Sequence, residues 1–81
     1  MFCLRPRIIP GVGVQQTFAA NLRRHRKELG VSQEELGDLA DLHRTEISLL
    51  ERAERDPRLT TIVKLARVLG ITPSELIRDI T

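Results

Sequence analysis

Apolar and polar positions along this chain recur at helical rather than strand spacing, and the punctuation between the runs divides it into five helices. Phe18, Leu22, His25 and Leu29 form the inner stripe of a first helix that Thr17 caps and Gly30 ends. Ser32 with Glu35 three residues on is a capping box, opening a second helix whose Leu36 and Ala40 share one face. Asp41 suits the sharp turn that follows, because a short polar side chain tolerates the left-handed conformation. Leu42, Ile47 and Leu50 then tie a third helix to the core. The fourth carries Leu59, Ile62, Val63, Ala66 and Leu69, with Leu65 and Val68 widening its apolar face; Asp56 before Pro57 is its start signal and Gly70 its end. Thr72-Pro73-Ser74-Glu75 reads as a second capping box opening a last short helix with Leu76, Ile77 and Ile80. The fold class expected is all-α: one small domain over residues 17–81, with no Trp or Tyr and hence an aliphatic core.

Residues 1–16 hold two of the four prolines and two of the five glycines, and read as a flexible N-terminal arm. Arg5 and Arg7 suit a DNA minor groove, Ile8 and Ile9 suit packing on the domain, and a frayed terminus without a role is the third reading.

The second and third helices are spaced as a helix-turn-helix, with Gly37 allowing close approach of the two and Arg44, Thr45, Ser48, Leu49 and Arg52 facing outward. A net charge of +2 does not demand a nucleic-acid partner, but eleven of the thirteen basic residues are arginine, the side chain suited to phosphate and guanine. On the first helix Asn21, Arg23, Arg24 and Lys27 make an outer polar strip that either touches phosphates or is simply solvated, while His25 reads as a partly buried core residue. Cys3 is the single cysteine and only His25 and His43 accompany it, so neither an intramolecular disulfide nor a Cys/His metal site can form. No apolar run reaches membrane-spanning length and the N-terminus lacks a signal-peptide core, which makes a cytoplasmic location the expectation.

Residues 17–79 resemble the phage-repressor/Cro-like helix-turn-helix family, on Leu22-Arg23-Arg24-His25-Arg26, Leu29-Gly30-Val31-Ser32-Gln33-Glu34-Glu35-Leu36, Ile47-Ser48-Leu49-Leu50-Glu51-Arg52 and Leu65-Ala66 through Leu69-Gly70-Ile71. Leu42-His43-Arg44-Thr45 followed by Ile47-Ser48 looks most like the controller proteins of restriction–modification systems. The resemblance implies a five-helix repressor-like domain and assigns DNA contacts to Gln33, His43, Arg44, Thr45, Ser48, Leu49, Arg52 and Arg58. Within that set Arg44, Thr45 and Leu49 meet base edges, Ser48 a base or a phosphate, and Gln33, Arg52 and Arg58 the backbone, Arg58 with the minor groove as a second possibility. Arg26 and Glu51 match positions that pair in relatives. Three departures stand out: Glu46 where controllers usually carry tyrosine, Ala53 where a glycine is common, and Arg58 in place of a frequent serine cap.

The expected activity is therefore sequence-specific binding of double-stranded DNA by a homodimer on an inverted repeat, with Leu76, Ile77, Ile80 and the spare face of the fourth helix at the dimer interface. An antitoxin or protein-interaction module is the rival from another class. An enzyme is disfavoured, since no nucleophile–base pair, phosphate-cradling glycine loop or metal set is present, and neither a cofactor nor a small-molecule ligand is expected.

Overall fold

The computed structural model describes residues 13–80. Its helices are α1 (Val14–Leu29), α2 (Gln33–Ala40), α3 (Arg44–Glu51), α4 (Leu59–Leu69) and α5 (Pro73–Leu76), with no strand among the described residues. Each helix gives at least one large side chain to a single core: Leu22, Leu36, Ile47, Leu50, Leu65 and Leu76 are all fully withdrawn from solvent. Phe18, Ala40 and Ala66 complete it, and Val31, Leu42, Ile62, Val68, Leu69, Ile71 and Ile80 pack partly buried around it.

Helix α1 begins three residues before the expected Thr17 cap. Gly13 is its N-cap, without a side-chain hydrogen bond, and Thr17 is an interior residue whose N–H donates to the Gly13 carbonyl at 2.8 Å. The extra turn contains no helix breaker and is held from outside, because Gln15 donates to Asp56 at 2.6 Å. Helix α1 therefore runs across the boundary expected at residue 16, and Arg5, Arg7, Ile8 and Ile9 lie outside the described residues.

Asn21 is not on the outer strip. It is 4% exposed, and its amide donates to the carbonyls of Leu76 and Arg78, both at 2.9 Å, satisfying C-terminal carbonyls that no helical turn follows. Leu29, expected inside, is 45% exposed, and α1 and α4 end at Gly30 and Gly70 in the left-handed conformation.

At α4 the N-cap is Arg58, which makes no capping bond, while Asp56 is occupied by Gln15 and does not start the helix. Leu59 is three-quarters exposed; the buried stripe of α4 is Thr61, Leu65 and Ala66. The second capping box does not form either. The Thr72 hydroxyl faces the Ser74 hydroxyl at 2.8 Å, and the Glu75 N–H is taken by the Thr72 carbonyl. Glu75 instead lies 3.9 Å from His25, which is half-buried between it and Glu28. Helix α5 is a single turn, and its Leu76 belongs to the monomer's core. A side chain with no solvent exposure has nothing to offer a partner surface, which removes Leu76 from the expected dimer interface.

Candidate nucleic-acid interface

Ser32 starts α2 with both halves of a capping box: its hydroxyl accepts from the Glu35 N–H at 3.0 Å and Glu35 accepts from the Ser32 N–H at 2.8 Å. The helix stops at Asp41, whose φ of 58° is left-handed, and Leu42 N–H returns to the Gly37 carbonyl at 2.8 Å. That return brings backbone against the middle of α2. A Cβ at Gly37 would stand 2.6 Å from the Leu42 carbonyl oxygen and 3.3 Å from the Arg44 nitrogen, so only glycine lets α3 start where it does.

His43 is the N-cap of α3, its Nδ1 accepting from the Thr45 N–H at 3.0 Å. An accepting Nδ1 on a neutral ring puts the proton on Nε2. Ile47 and Leu50 anchor the inner side of α3, which leaves Arg44 and Thr45 exposed and Ser48 and Leu49 half-exposed on the outer side, with Arg52 exposed beyond the helix end.

The inclination of α3 is fixed from below by an ion pair. Arg26 on α1 donates to both carboxylate oxygens of Glu51, through Nε at 2.6 Å and Nη2 at 3.0 Å, and through Nη1 to the Val31 carbonyl at 2.9 Å. Gln33 adds a bond to Glu51 at 3.0 Å, joining α1, α2 and α3 through one carboxylate that is almost wholly buried. Among the described residues the second N–H and the carbonyl oxygen of the Gln33 amide make no further bond at the N-terminus of α2, where helical N–H groups favour an anion.

Helix α3 ends with Ala53 in the left-handed region at φ 59°, with Glu54 N–H bonding back to the Leu49 carbonyl at 2.9 Å and Ala53 N–H to Leu50 at 3.2 Å. This reversal brings Arg55 back against α3, where it donates to Glu46 at 2.7 Å. Arg55 and Arg58 then line, with His43 and Glu46, a cleft of about 360 Å³ beside the start of α3. Seven of the eight expected contact residues thus gather around α2's first turn and the outer side of α3, and Arg58 stands at the rim. Arg55, outside the expected set, also comes to this surface, and within Arg52-Ala53-Glu54-Arg55-Asp56-Pro57-Arg58 nothing but the left-handed Ala53 reveals which charge turns back.

Comparison with known proteins matches residues 22–76 to the helix-turn-helix family model. The chain belongs to that family of DNA-binding transcription regulators. Control protein C.SmaI of Serratia marcescens is 36% identical to this helix-turn-helix protein over 64 residues, 79% of this chain and 76% of that one. In three dimensions the chain is similar to the restriction–modification controller protein C.AhdI from Aeromonas hydrophila, with a TM-score of 0.75 at 40% identity, over 76% of this chain and 94% of the other. It is also similar to the P22 c2 repressor, solved in complex with a synthetic operator, with a TM-score of 0.71 at 28% identity, over 75% and 92% of the two chains. Among the described residues of this helix-turn-helix protein no three metal-ligating side chains converge, and no helix is long and apolar enough to cross a membrane.

Proposed function

We propose that this regulator binds double-stranded DNA sequence-specifically as a homodimer on an inverted-repeat operator, with α3 in the major groove, as a controller of a restriction–modification system. The observation that carries the reading is the outer side of α3: Arg44, Thr45, Ser48 and Leu49, none of them part of the core, on a helix whose inner side and inclination are rigidly fixed. Arg44 would fork onto a guanine, a contact worth about 1–3 kcal/mol of discrimination, and Thr45 and Leu49 would meet thymine methyls. Ser48 serves a base or a phosphate. Gln33, the Nε2–H of His43, Arg52 and Arg58 would hold the backbone.

One α3 spans too few base pairs to single out an operator among non-specific sites, whereas a two-fold dimer presents two such helices about 34–36 Å apart. With Leu76 committed to the core, the surface proposed for pairing is Ile77, 43% exposed, and Ile80, both on an apolar cleft of about 310 Å³ that Phe18 and Ile62 also line. The two controllers of similar sequence and fold favour that role over an antitoxin.

Selection from a random duplex pool tests the reading. The purified protein should enrich an inverted repeat, and Arg44→Ala should relax the preference at one position of each half-site. Retention without any sequence enrichment would instead indicate a module whose principal partner is another protein.

A further inference from the structure

Three arginines border the outer side of α3 near its two ends, and each is held by a glutamate. Arg44 lies 3.6 Å from Glu34, Arg52 3.7 Å from Glu54, and Arg55 2.7 Å from Glu46. The carboxylates come from three places in the chain: the first turn of α2, the connection after α3, and the first turn of α3. A helix dipole accounts for an acid in a first turn, as at Glu34 and Glu46. It does not account for an arginine partner at each of the three, around a helix that is to meet a polyanion.

We propose that Glu34, Glu46 and Glu54 are tethered carboxylates that hold down affinity for DNA of any sequence, and that Glu34, through Arg44, is in addition a specificity determinant that weakens binding to non-operator DNA more than binding to the operator. The inference rests on the DNA-binding reading above and adds to it a role for acids that otherwise oppose that function. An arginine that reaches a phosphate lets the duplex release condensed counterions, so affinity falls with salt by a log–log slope of about −0.9 per contact. An arginine already paired with a glutamate changes that balance. Its phosphate contact leaves a carboxylate unpaired next to DNA, and that carboxylate must recruit a cation from solution, which cancels part of the release.

At Arg52 and Arg55 that cost falls on every sequence alike, whereas on the operator the exchange at Arg44 is compensated, because Arg44 gains a guanine edge in return. On other sequences it is not. The effect should be graded by geometry. Glu46 is only 22% exposed and holds Arg55 at charge-assisted hydrogen-bond length, whereas the partners in the other two pairs are each more than half exposed and screened by solvent.

The test uses the full chain and a random-sequence duplex of about two helical turns, followed by fluorescence anisotropy across a salt series, with E34Q, E46Q, E54Q and the triple variant. The control is E28Q on α1, which makes the same change in net charge at a carboxylate that faces His25 rather than an arginine. Each single variant should bind the random duplex about two- to fivefold tighter than wild type, E46Q most of all, and the triple variant about tenfold or more. The triple variant should also show a steeper salt slope and lower enrichment in pool selection, while E28Q stays within about twofold of wild type. Melting temperatures within a few degrees of wild type would exclude a folding origin.

Variants that bind the random duplex no tighter than E28Q would overturn the proposal and leave the DNA-binding reading intact. Failure of wild type and triple variant alike to bind any duplex at low salt would overturn both.

Discussion

Replacing Ala53 with glycine should stabilise the protein, although it removes a methyl group and adds backbone freedom. Ala53 sits at φ 59°, in the left-handed reversal that ends α3, and both of the hydrogen bonds closing that end depend on the conformation. Holding an L-residue with a Cβ there costs about 1–2 kcal/mol, which glycine does not incur. Against this, the unfolded glycine chain is more disordered by about 0.5–1 kcal/mol. The lost Cβ is half-buried on a shallow surface with Gln16, Ala19 and Ala20, and contributes at most a few tenths of a kcal/mol on the scale of about 0.8 per fully buried methylene. The sum favours glycine by about 0.5 kcal/mol. For a domain of this size that raises the melting temperature by about 2–4 °C. Thermal and urea unfolding followed by helical circular dichroism, at matched protein concentration because dimerisation would shift the midpoint, reads the difference. A midpoint equal to or below wild type, at an unchanged denaturant slope, would mean that Ala53 carries no strain.

Gly37→Ala should have the opposite sign: helix propensity alone would favour alanine by about 0.5–1 kcal/mol, but the clash with the Leu42 carbonyl should leave the variant destabilised by about 1–3 kcal/mol, measurable by urea unfolding. Glu51→Ala leaves the Arg26 guanidinium buried with only the Val31 carbonyl, and should cost about 3–5 kcal/mol in the same assay, with Glu51→Gln milder because it keeps an acceptor. Asn21→Ala strips the carbonyls of Leu76 and Arg78 of their donor and should cost about 2–3 kcal/mol, with the earliest loss of amide hydrogen-exchange protection in residues 76–80.

The parts of the fold legible in sequence are those whose cause is local. Ser32 and Glu35 are three residues apart and complete their own box, and Gly37 in a helix otherwise suited to side chains announces a close approach. What was not legible is set by tertiary partners. Asn21 looks like a surface residue until the carbonyls of the C-terminal turn are seen to need a donor. Thr72 has the cap's chemistry, but its hydroxyl meets Ser74 instead. Asp56 has the same chemistry and is claimed by a glutamine 41 residues away.

The candidate site divides along the same line. Arg44, Thr45, Ser48 and Leu49 follow from which side of α3 must be apolar. The pairing of Arg55 with Glu46 depends on a chain reversal at an alanine where glycine would be the expected residue, and that of Arg44 with Glu34 on how α2 and α3 pack.

The most direct measurement is a backbone-amide chemical-shift titration of the labelled protein with the duplex retained from the random pool. The largest changes should fall on Gln33 and on 43–49, with residues at the C-terminal end of the chain moved least. Changes concentrated there instead, or no change with any duplex at low salt, would contradict the assignment of α3 as the surface that reads DNA.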